Sequence, residues 1–204
     1  MSGVAIVILA AGTSRRLGRP KQVLPLGGEP LVAHVGKLAR ASKAARVMAV
    51  VGGAQQETMA ALDDIVDEII LNEAFEEGQG TSIAAGIRYL QSTSHLLGSC
   101  EAVVFLLGDQ PGIDPDVIDA VIEAWEEGGS IVMSGYTDRP GHPVLFDRVY
   151  WKELGELKGE QGGRMVIAKH RDEVVYVPVE TESPMDVDRE ADWRVLQEWW
   201  SKHS

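Results

Sequence analysis

Four basic residues near the N-terminus have the types and spacing of a phosphate-binding loop. The apolar run Val4 to Ala10 predicts a buried strand. The segment Leu9 to Lys21 continues this run with two glycines, two hydroxyl side chains and the cations Arg15, Arg16, Arg19 and Lys21. No Asp or Glu precedes Glu29, although the net charge of the 204-residue chain is -12. A basic surface loop is the alternative, but strand, glycines and cations coincide. This coincidence predicts phosphate binding at the carboxyl end of the first strand, with Arg16 as a bidentate fork and Lys21 as a point charge.

Asp109 is the first candidate for a metal ligand. It follows the purely apolar run Ala102 to Leu107, and it is flanked by Gly108 and Pro111. A carboxylate at the end of a buried strand is well placed to hold Mg²⁺, which takes one or two carboxylates together with substrate phosphates and water. The alternative is a turn aspartate that hydrogen-bonds its own backbone. Beside a basic phosphate loop, the metal interpretation is favoured.

A second carboxylate is needed for such a metal, and Asp186 and Asp188 are the best candidates. The two residues are separated by Val187 only. In an extended segment, side chains two positions apart face the same side. Asp188 is also a plausible N-cap for a final helix. The metal interpretation and the structural one are close for each of the two residues.

His142 and Arg164 are candidates for contact with a second substrate. His142 lies between Gly141 and Pro143, which restrict its direction, although a lone loop histidine is more often a surface or packing residue. Arg164 ends the glycine-rich turn that begins at Gly159. It could reach an anionic substrate or only begin the next helix.

The elements that must position these residues alternate between strands and helices. This order predicts an α/β fold, a three-layer αβα sandwich with a mostly parallel, Rossmann-like sheet, in which ligands bind at the carboxyl ends of the strands. We expect a single domain, 1-204. The expected strands are Val4–Ala10, Arg46–Val51, Glu68–Leu71, Ala102–Leu107, Ser130–Ser134, Pro143–Phe146 and Glu173–Val177. The expected helices are Pro30–Ser42, Gln55–Leu62, Ser82–Gln91, one after Asp114-Pro115, Arg148–Leu154, Gly163–His170 and one after Asp188.

Composition restricts the class of protein and its partners. An acidic chain is not expected to be a general nucleic-acid binder. Its apolar stretches are shorter than the roughly 18 residues of a membrane helix, and no signal peptide is expected at its N-terminus. The one cysteine, Cys100, excludes an internal disulfide framework and fits a reducing compartment. We therefore expect a cytoplasmic protein without membrane or nucleic-acid partners.

Several segments together resemble the molybdenum-cofactor nucleotidyltransferases, the MobA/MocA-like group of the GT-A-like nucleotidyltransferases. The resemblance covers nearly the whole chain. The segments that carry it are Leu9 to Lys21, Gly80 to Gly86, Gly108-Asp109-Gln110-Pro111 and Gly141 to Phe146. Ala10-Ala11-Gly12 is similar to the branch that uses cytidine nucleotides, since the guanine-using branch has Gly in place of Ala11. Departures from the family pattern lie in Gly159 to Arg164 and after Asp188, in the acceptor half.

The resemblance implies a Mg²⁺-dependent transfer of CMP from CTP to the phosphate of molybdopterin, with release of pyrophosphate. It implies roles in catalysis for Arg16, Lys21 and Asp109, metal binding by Asp109 and Asp188, and acceptor binding by His142 and Arg164. The implied nucleotide contacts are Leu9, Ala10, Ala11, Gly12, Ser14, Arg16, Lys21, Gly80 and Ser82. A transient contact with a molybdoenzyme or its chaperone is also implied.

Two alternatives are left open by the sequence. The first is a nucleotidyltransferase that uses GTP or another phosphorylated acceptor, such as a sugar phosphate, methylerythritol phosphate or phospholactate. The second is a non-catalytic chaperone that carries a pterin cofactor. The cationic loop and Asp109 favour an enzyme, because a carrier needs neither a metal nor a triphosphate site.

Overall fold

The computed structural model describes residues 3–97 and 100–203. The strands in these two stretches are β1 (Val4–Ala10), β2 (Pro25–Leu26), β3 (Glu29–Pro30), β4 (Arg46–Val51), β5 (Glu68–Leu71), β6 (Ala102–Leu107), β7 (Ile131–Gly135), β8 (Pro140–Asp147) and β9 (Val174–Pro178). The helices are α1 (Leu31–Ala41), α2 (Gln55–Leu62), α3 (Gln79–Leu97), α4 (Pro115–Glu126), α5 (Trp151–Gly155), α6 (Arg164–Lys169) and α7 (Glu190–His203). Strands β1, β4, β5 and β6 and helix α2 have the bounds predicted from the sequence.

Seven of the described strands form one sheet in the order β5-β4-β1-β6-β8-β7-β9. Strand β1 pairs in parallel with β4 and β6, and Leu9 lies opposite Val50 on one side and Leu107 on the other. Strand β8 runs antiparallel to both of its neighbours, β6 and β7. The prediction of a mostly parallel α/β sheet is confirmed. Because β1, β4 and β6 share one direction, the loops after them meet at one edge.

Helices cover the two faces of this sheet and form the three predicted layers. Alternate residues of β1 point to opposite faces, as strand geometry requires: Ile6 and Ile8 belong to one buried cluster, and Ala5 and Val7 belong to the other. The first cluster is completed by α1, α2 and α4, and the second by α3, α5 and α6. Strand β6 is buried on both faces, which explains its purely apolar sequence.

A third apolar cluster joins helix α7 to the β2–β3 hairpin. Leu26, Val187 and Trp193 are buried in it, and Trp200 packs against its edge. A Cβ atom on Gly27, where φ is +58°, would be strained and would lie 2.6 Å from Nε1 of Trp200, so this turn favours glycine beside the indole. The cluster ties the C-terminal helix to the segment that follows the phosphate loop.

Helix α3 begins earlier than the sequence predicts. The prediction was Ser82–Gln91, whereas the helix extends over Gln79–Leu97. The loop ends at Gly78, which has φ +133°. Gly80 precedes the predicted start of the helix, but it lies in the first helical turn and packs against backbone atoms of another segment. A glycine that is required by tertiary packing has the same local signal as one that is required by a turn.

Strand β8 is longer than predicted. Pro143–Phe146 was expected after a polar loop, whereas the strand extends over Pro140–Asp147. Its first residues pair only with β7, because its pairing with β6 begins at Val144. A proline is tolerated where one side of a strand has no partner in the sheet. His142 is therefore held in a strand and not in a loop.

No helix within residues 3–97 and 100–203 is both long and apolar enough to cross a membrane.

Candidate functional site

The loops after β1 and β6 form one side of a cavity of about 560 Å³. Segment 11–16 follows β1, and Gly108 and Asp109 follow β6. The lining also includes the start of α3 and the segments around Glu160 and Asp186. The cavity thus lies at the carboxyl ends of the parallel strands, where α/β sheets bind ligands.

Hydrogen bonds within the phosphate loop hold its two ends together. The backbone N–H of Lys21 donates to Oγ of Ser14 at 3.0 Å. The side-chain amide of Gln22 donates to the carbonyl oxygen of Gly12 at 2.8 Å, and Gln22 is only 2% exposed. Ser14 itself has φ +52°, a left-handed conformation that is uncommon outside glycine. Sequence reasoning missed Gln22, since an isolated glutamine has no distinctive local signal.

Two cations and two carboxylates form a connected network on the cavity floor. The ammonium group of Lys21 donates to Oδ2 of Asp109 and lies 3.4 Å from Oδ1 of Asp188. Nη2 of Arg16 lies 2.8 Å from Oδ2 of Asp188. The four residues that were predicted to act in catalysis or metal binding are therefore in one place, although Asp188 is far from Lys21 in sequence.

Of the two interpretations of Asp188, helix cap and metal ligand, the contacts given for its side chain are with cations and not with the helix backbone. Helix α7 begins at Glu190, and the carboxylate of Asp192 accepts hydrogen bonds from the backbone N–H groups of Asp188 and Arg189. This frees the side chain of Asp188 to reach the cations. Val187 is fully buried in the third apolar cluster, so Asp186 and Asp188 both face the cavity, as the alternation of an extended segment predicts.

Burial sets the electrostatics of the Lys21–Asp109 pair. Burial raises the pKa of Asp109, and the nearby ammonium group of Lys21 opposes this shift. Burial lowers the pKa of Lys21, but attraction to Asp109 and Asp188 outweighs it, so that its pKa lies above the usual value. Lys21 therefore stays charged at neutral pH and neutralises the carboxylates around it.

The donor set on the cavity floor suits a magnesium-type ion. Oδ2 of Asp109 and Oδ1 of Asp188 both contact the ammonium group of Lys21. Two carboxylate oxygens therefore meet a positive charge at this point. Among residues 3–97 and 100–203, no group of three or more His, Cys, Asp or Glu side chains could hold a metal. Two carboxylates with an adjacent space for phosphate and water fit Mg²⁺ or Mn²⁺, and they do not fit a metal that requires a complete protein cage.

A second cavity of about 340 Å³ adjoins the first and contains His142 and Arg164. The two cavities share five lining residues, which form the boundary between them: Leu9, Gln79, Leu107, Glu160 and Asp186. Apolar side chains of β6, β7 and β8 form much of the wall of the second cavity, namely Phe105, Met133, Val144 and Phe146. The metal candidates and the predicted acceptor residues thus lie on the two sides of one boundary.

His142 is neutral at neutral pH. Burial lowers the pKa of its imidazole from 6.5 to about 4. Its backbone carbonyl accepts a hydrogen bond from the hydroxyl of Tyr136 at 2.7 Å, which holds the residue in place. A neutral imidazole has one donor and one acceptor nitrogen to offer a ligand.

Asp186 contacts two residues of the second cavity that the sequence did not single out as site residues. Its Oδ1 accepts a hydrogen bond from the Gln110 side-chain amide at 2.6 Å, and its Oδ2 lies 3.3 Å from Nη2 of Arg139. Gln110 was quoted only as part of a motif, and Arg139 was missed. Neither could be found without the fold, because both depend on a partner more than 40 positions away.

Most predicted nucleotide contacts line the first cavity, and two do not. Leu9, Ala11, Gly12, Ser14 and Ser82 line it, together with Arg16 and Lys21. The side chain of Ala10 lies in the apolar core. A Cβ atom on Gly80 would lie within 3.0 Å of the carbonyl oxygen of Gln161, so Gly80 packs against the segment 158–161.

Ser82 and Phe75 belong to the lining of the first cavity. The hydroxyl of Ser82 accepts a hydrogen bond from the side-chain amide of Asn72 at 2.9 Å. Phe75 lines the same cavity, and a Cβ atom on Gly52 would lie 2.5 Å from the Cβ and Cγ atoms of Phe75. Phe75 was also missed, because an aromatic residue in a polar loop does not by itself indicate a site.

Two solved structures are similar to this chain over almost its whole length, and one of them is a complex with manganese. The structure of a homologue of Mycobacterium tuberculosis Rv0371c, from Mycobacterium sp. strain JC1, is 30% identical, covers 100% of both chains and has a TM-score of 0.85. The structure of Rv0371c in complex with manganese, from M. tuberculosis H37Rv, is 27% identical with a TM-score of 0.78, and covers 96% of this chain and 98% of that one.

Sequence comparison identifies the family. The purine catabolism protein PucB of Bacillus subtilis (strain 168) is 28% identical over 172 residues, which cover 79% of this chain and 78% of PucB. The model of the MobA-like NTP transferase domain matches residues 6–174, which include the phosphate loop, Asp109, His142 and Arg164. The chain therefore belongs to the MobA-like NTP transferase family, and it is a nucleotidyltransferase of that family.

Proposed function

We propose that this nucleotidyltransferase transfers CMP from CTP to the phosphate of molybdopterin in a Mg²⁺-dependent reaction. The observation that carries the proposal is the network of Arg16, Lys21, Asp109 and Asp188 on the floor of a cavity of about 560 Å³. Cations for phosphate and carboxylates for a metal at one point are what nucleotidyl transfer requires, because positioning and charge neutralisation supply most of the catalysis.

The proposed reaction is an in-line displacement at the α-phosphorus. A phosphate oxygen of the acceptor forms a bond to the α-phosphorus, the bond from that phosphorus to the α,β-bridging oxygen breaks, and pyrophosphate leaves with the electron pair. Lys21 and Arg16 neutralise the β- and γ-phosphates and stabilise the leaving group. No covalent intermediate with the protein is needed.

Asp109 and Asp188 would hold the metal. When bound, Mg²⁺ would neutralise charge on the α-phosphate and orient it. Their fit to a divalent cation and the manganese complex of Rv0371c support this assignment. Asp186 is left out of the metal site, because its two oxygens contact Gln110 and Arg139 of the second cavity, whereas Asp109 and Asp188 meet at Lys21.

The nucleotide half of the proposal assigns contacts on the first cavity. Backbone atoms around Ala11 and Gly12, with Ser82, receive the base and ribose. CTP is preferred to GTP because of the resemblance of Ala10-Ala11-Gly12 to the cytidine-using branch. GTP remains the alternative nucleotide in this proposal.

The acceptor half assigns molybdopterin to the second cavity. His142 offers a neutral imidazole and Arg164 a cation to the acceptor. The apolar wall of Phe105, Met133 and Phe146 offers a surface for the ring system of the pterin, and a sugar phosphate, methylerythritol phosphate or phospholactate is the alternative acceptor. Residues 1–204 would act as a single cytoplasmic domain that contacts a molybdoenzyme or its chaperone transiently.

Pyrophosphate release tests the proposal. The protein is mixed with Mg²⁺, with CTP or GTP and with each candidate acceptor. We expect release with CTP and molybdopterin, and a loss of about 10²–10³-fold in Lys21→Ala, the size of effect seen when a group that stabilises transition-state charge is removed. Lys152→Ala is the matched control, because Lys152 is an exposed residue of α5 outside both cavities.

Each outcome of this assay has a clear meaning. Pyrophosphate release with GTP and not with CTP would make GTP the nucleotide substrate. Release with another acceptor and not with molybdopterin would make that compound the acceptor. No release with any pair, combined with tight pterin binding, would favour the carrier function. Near-normal turnover of Lys21→Ala would remove Lys21 from catalysis.

A further inference from the structure

The ammonium group of Lys21 lies where the two proposed metal ligands converge. It donates to Asp109 and lies 3.4 Å from Oδ1 of Asp188. The side chain of Lys21 is 17% exposed and that of Asp109 is 11% exposed, so water screens this pair poorly. An ammonium group of the same chain therefore offsets part of the negative charge of the two carboxylates.

A divalent cation and this ammonium group cannot share the position. Mg²⁺ requires oxygen ligands at about 2.0–2.1 Å, whereas an ammonium group takes N···O distances of about 2.7–2.9 Å from a carboxylate. A metal held by Asp109 and Asp188 would lie within a few ångströms of the lysine charge and would be repelled by it. The ammonium must move before the metal can bind.

The triphosphate is the group that can move it. Lys21 is anchored at its backbone, where its N–H donates to Ser14, so that its long side chain can change partners while the loop stays in place. The phosphates would lie beside the same loop, and they offer oxygens to the ammonium in exchange for the carboxylates.

We infer that Lys21 is a stand-in for the metal in the nucleotide-free protein. Binding of a triphosphate draws Lys21 from Asp109 and Asp188 and opens the metal position, so nucleotide and metal bind as a coupled pair and the metal alone binds weakly. This inference rests on the proposed function, since it takes Asp109 and Asp188 as the metal ligands.

Arg16 contributes less to this competition than Lys21. It also pairs with Asp188, at 2.8 Å, but its side chain is 64% exposed. Exposed ion pairs are weakened by water and salt and contribute little to stability. The blocking charge is therefore assigned to Lys21, and Arg16→Met should have the smaller effect.

Titration with Mn²⁺ in the absence of nucleotide tests the inference. Free Mn²⁺ is followed by electron paramagnetic resonance at pH 8 for the wild type, Lys21→Met and Lys37→Met. We expect Lys21→Met to bind Mn²⁺ about tenfold tighter or more, within the range typical of coupled sites. Lys37→Met is the matched control, because Lys37 is an exposed lysine paired with Glu29 outside the cavity. It should bind Mn²⁺ as the wild type does.

Two further variants keep the test decisive. Lys21→Gln retains an N–H donor for the buried Asp109 if Lys21→Met does not fold by circular dichroism, and it should also bind Mn²⁺ more tightly than the wild type. Adding Asp109→Asn to either variant should remove the tight binding, which locates the ion at the proposed position.

The possible results separate the inference from the proposed function. Equal or weaker Mn²⁺ binding by the Lys21 variants would overturn the stand-in role. Tight binding that survives Asp109→Asn would overturn it too, because the ion would then be elsewhere. Failure of the proposed function would be seen instead in pyrophosphate release, which this titration does not measure.

Discussion

Replacing Gly80 with alanine tests how the segment 158–161 is held against helix α3. The backbone N–H of Gly80 donates to the carbonyl oxygen of Gly159 at 2.9 Å. An added Cβ atom would lie within 3.0 Å of the carbonyl oxygen of Gln161 and 3.0 Å from that of Lys158. These atoms belong to the backbone, so the neighbouring segment must shift as a unit to make room.

Two opposing effects determine how much Gly80→Ala changes the free energy of unfolding. Overpacking of this kind costs about 1–3 kcal/mol, and we take the upper half because the colliding atoms are backbone. Alanine recovers about 0.5–1 kcal/mol, since it lowers the entropy of the unfolded chain and favours a helix. The free energy of unfolding should fall by about 1–2.5 kcal/mol, which lowers the Tm by about 2–10 °C for a chain of this size.

Thermal unfolding of Gly80→Ala and Gly112→Ala checks this reasoning. Gly112 is exposed, has no left-handed φ and has nothing within 4 Å of an added Cβ atom. Gly112→Ala should therefore keep or slightly raise the Tm. If Gly80→Ala left the Tm unchanged and only weakened nucleotide binding, the packing argument would be refuted, and Gly80 would be a nucleotide contact as the resemblance implies.

Three further predictions follow from the site and its support. Asp109→Asn should abolish Mg²⁺-dependent pyrophosphate release while the circular dichroism spectrum is retained; an unchanged Mg²⁺ dependence would exclude Asp109 from the metal site. Folding lowers the pKa of His142 from 6.5 to about 4. Between these pH values the unfolded chain binds one more proton than the folded protein. The contribution of His142 to stability is therefore complete above pH 6.5 and is lost as the pH falls towards 4. Urea unfolding should show that the wild type loses about 2 kcal/mol more than His142→Gln between pH 7 and pH 5; parallel losses would contradict the shift. Val187→Ala removes two methyl groups from the third apolar cluster and should lower the free energy of unfolding by about 2 kcal/mol. It should also slow turnover, because the burial of Val187 directs Asp188 toward the cations. Full turnover would show that this support is unnecessary.

The placement of the first loop and of Asp109 at one edge of the sheet could be predicted because their signals are local. Each consists of an apolar strand followed at once by glycine and by charged side chains, and strand β1 and strand β6 have the predicted bounds. In a parallel sheet, the ends of neighbouring strands must lie together. Local patterns therefore predict which two loops meet, before any contact between their side chains is known.

The interpretation of Asp188 needed the fold. Its sequence fits both a helix cap and a metal ligand, since either role requires an oxygen just before a helix. In the structure Asp192 caps the backbone from within the helix, and the side chain of Asp188 contacts Lys21, which is 167 positions away in sequence. Such a long-range contact has no local signal.

The roles of one glycine and of two polar residues could not be predicted from their neighbours in the sequence. Gly80 has the sequence signal of a loop, but its role is set by carbonyl groups of the segment 158–161. Gln22 and Arg139 are ordinary polar residues until the fold supplies Gly12 and Asp186 as their partners.

The α/β class and the central strands could be predicted from sequence alone, because hydrophobic periodicity is a property of neighbouring residues, and the phosphate chemistry of the first loop stays a prediction. The tertiary structure alone decided that Lys21 lies between Asp109 and Asp188, and that His142 and Arg164 share a second cavity beside them. The physical reason is that these arrangements depend on contacts between distant segments. Such contacts form only when the sheet and the third apolar cluster are assembled.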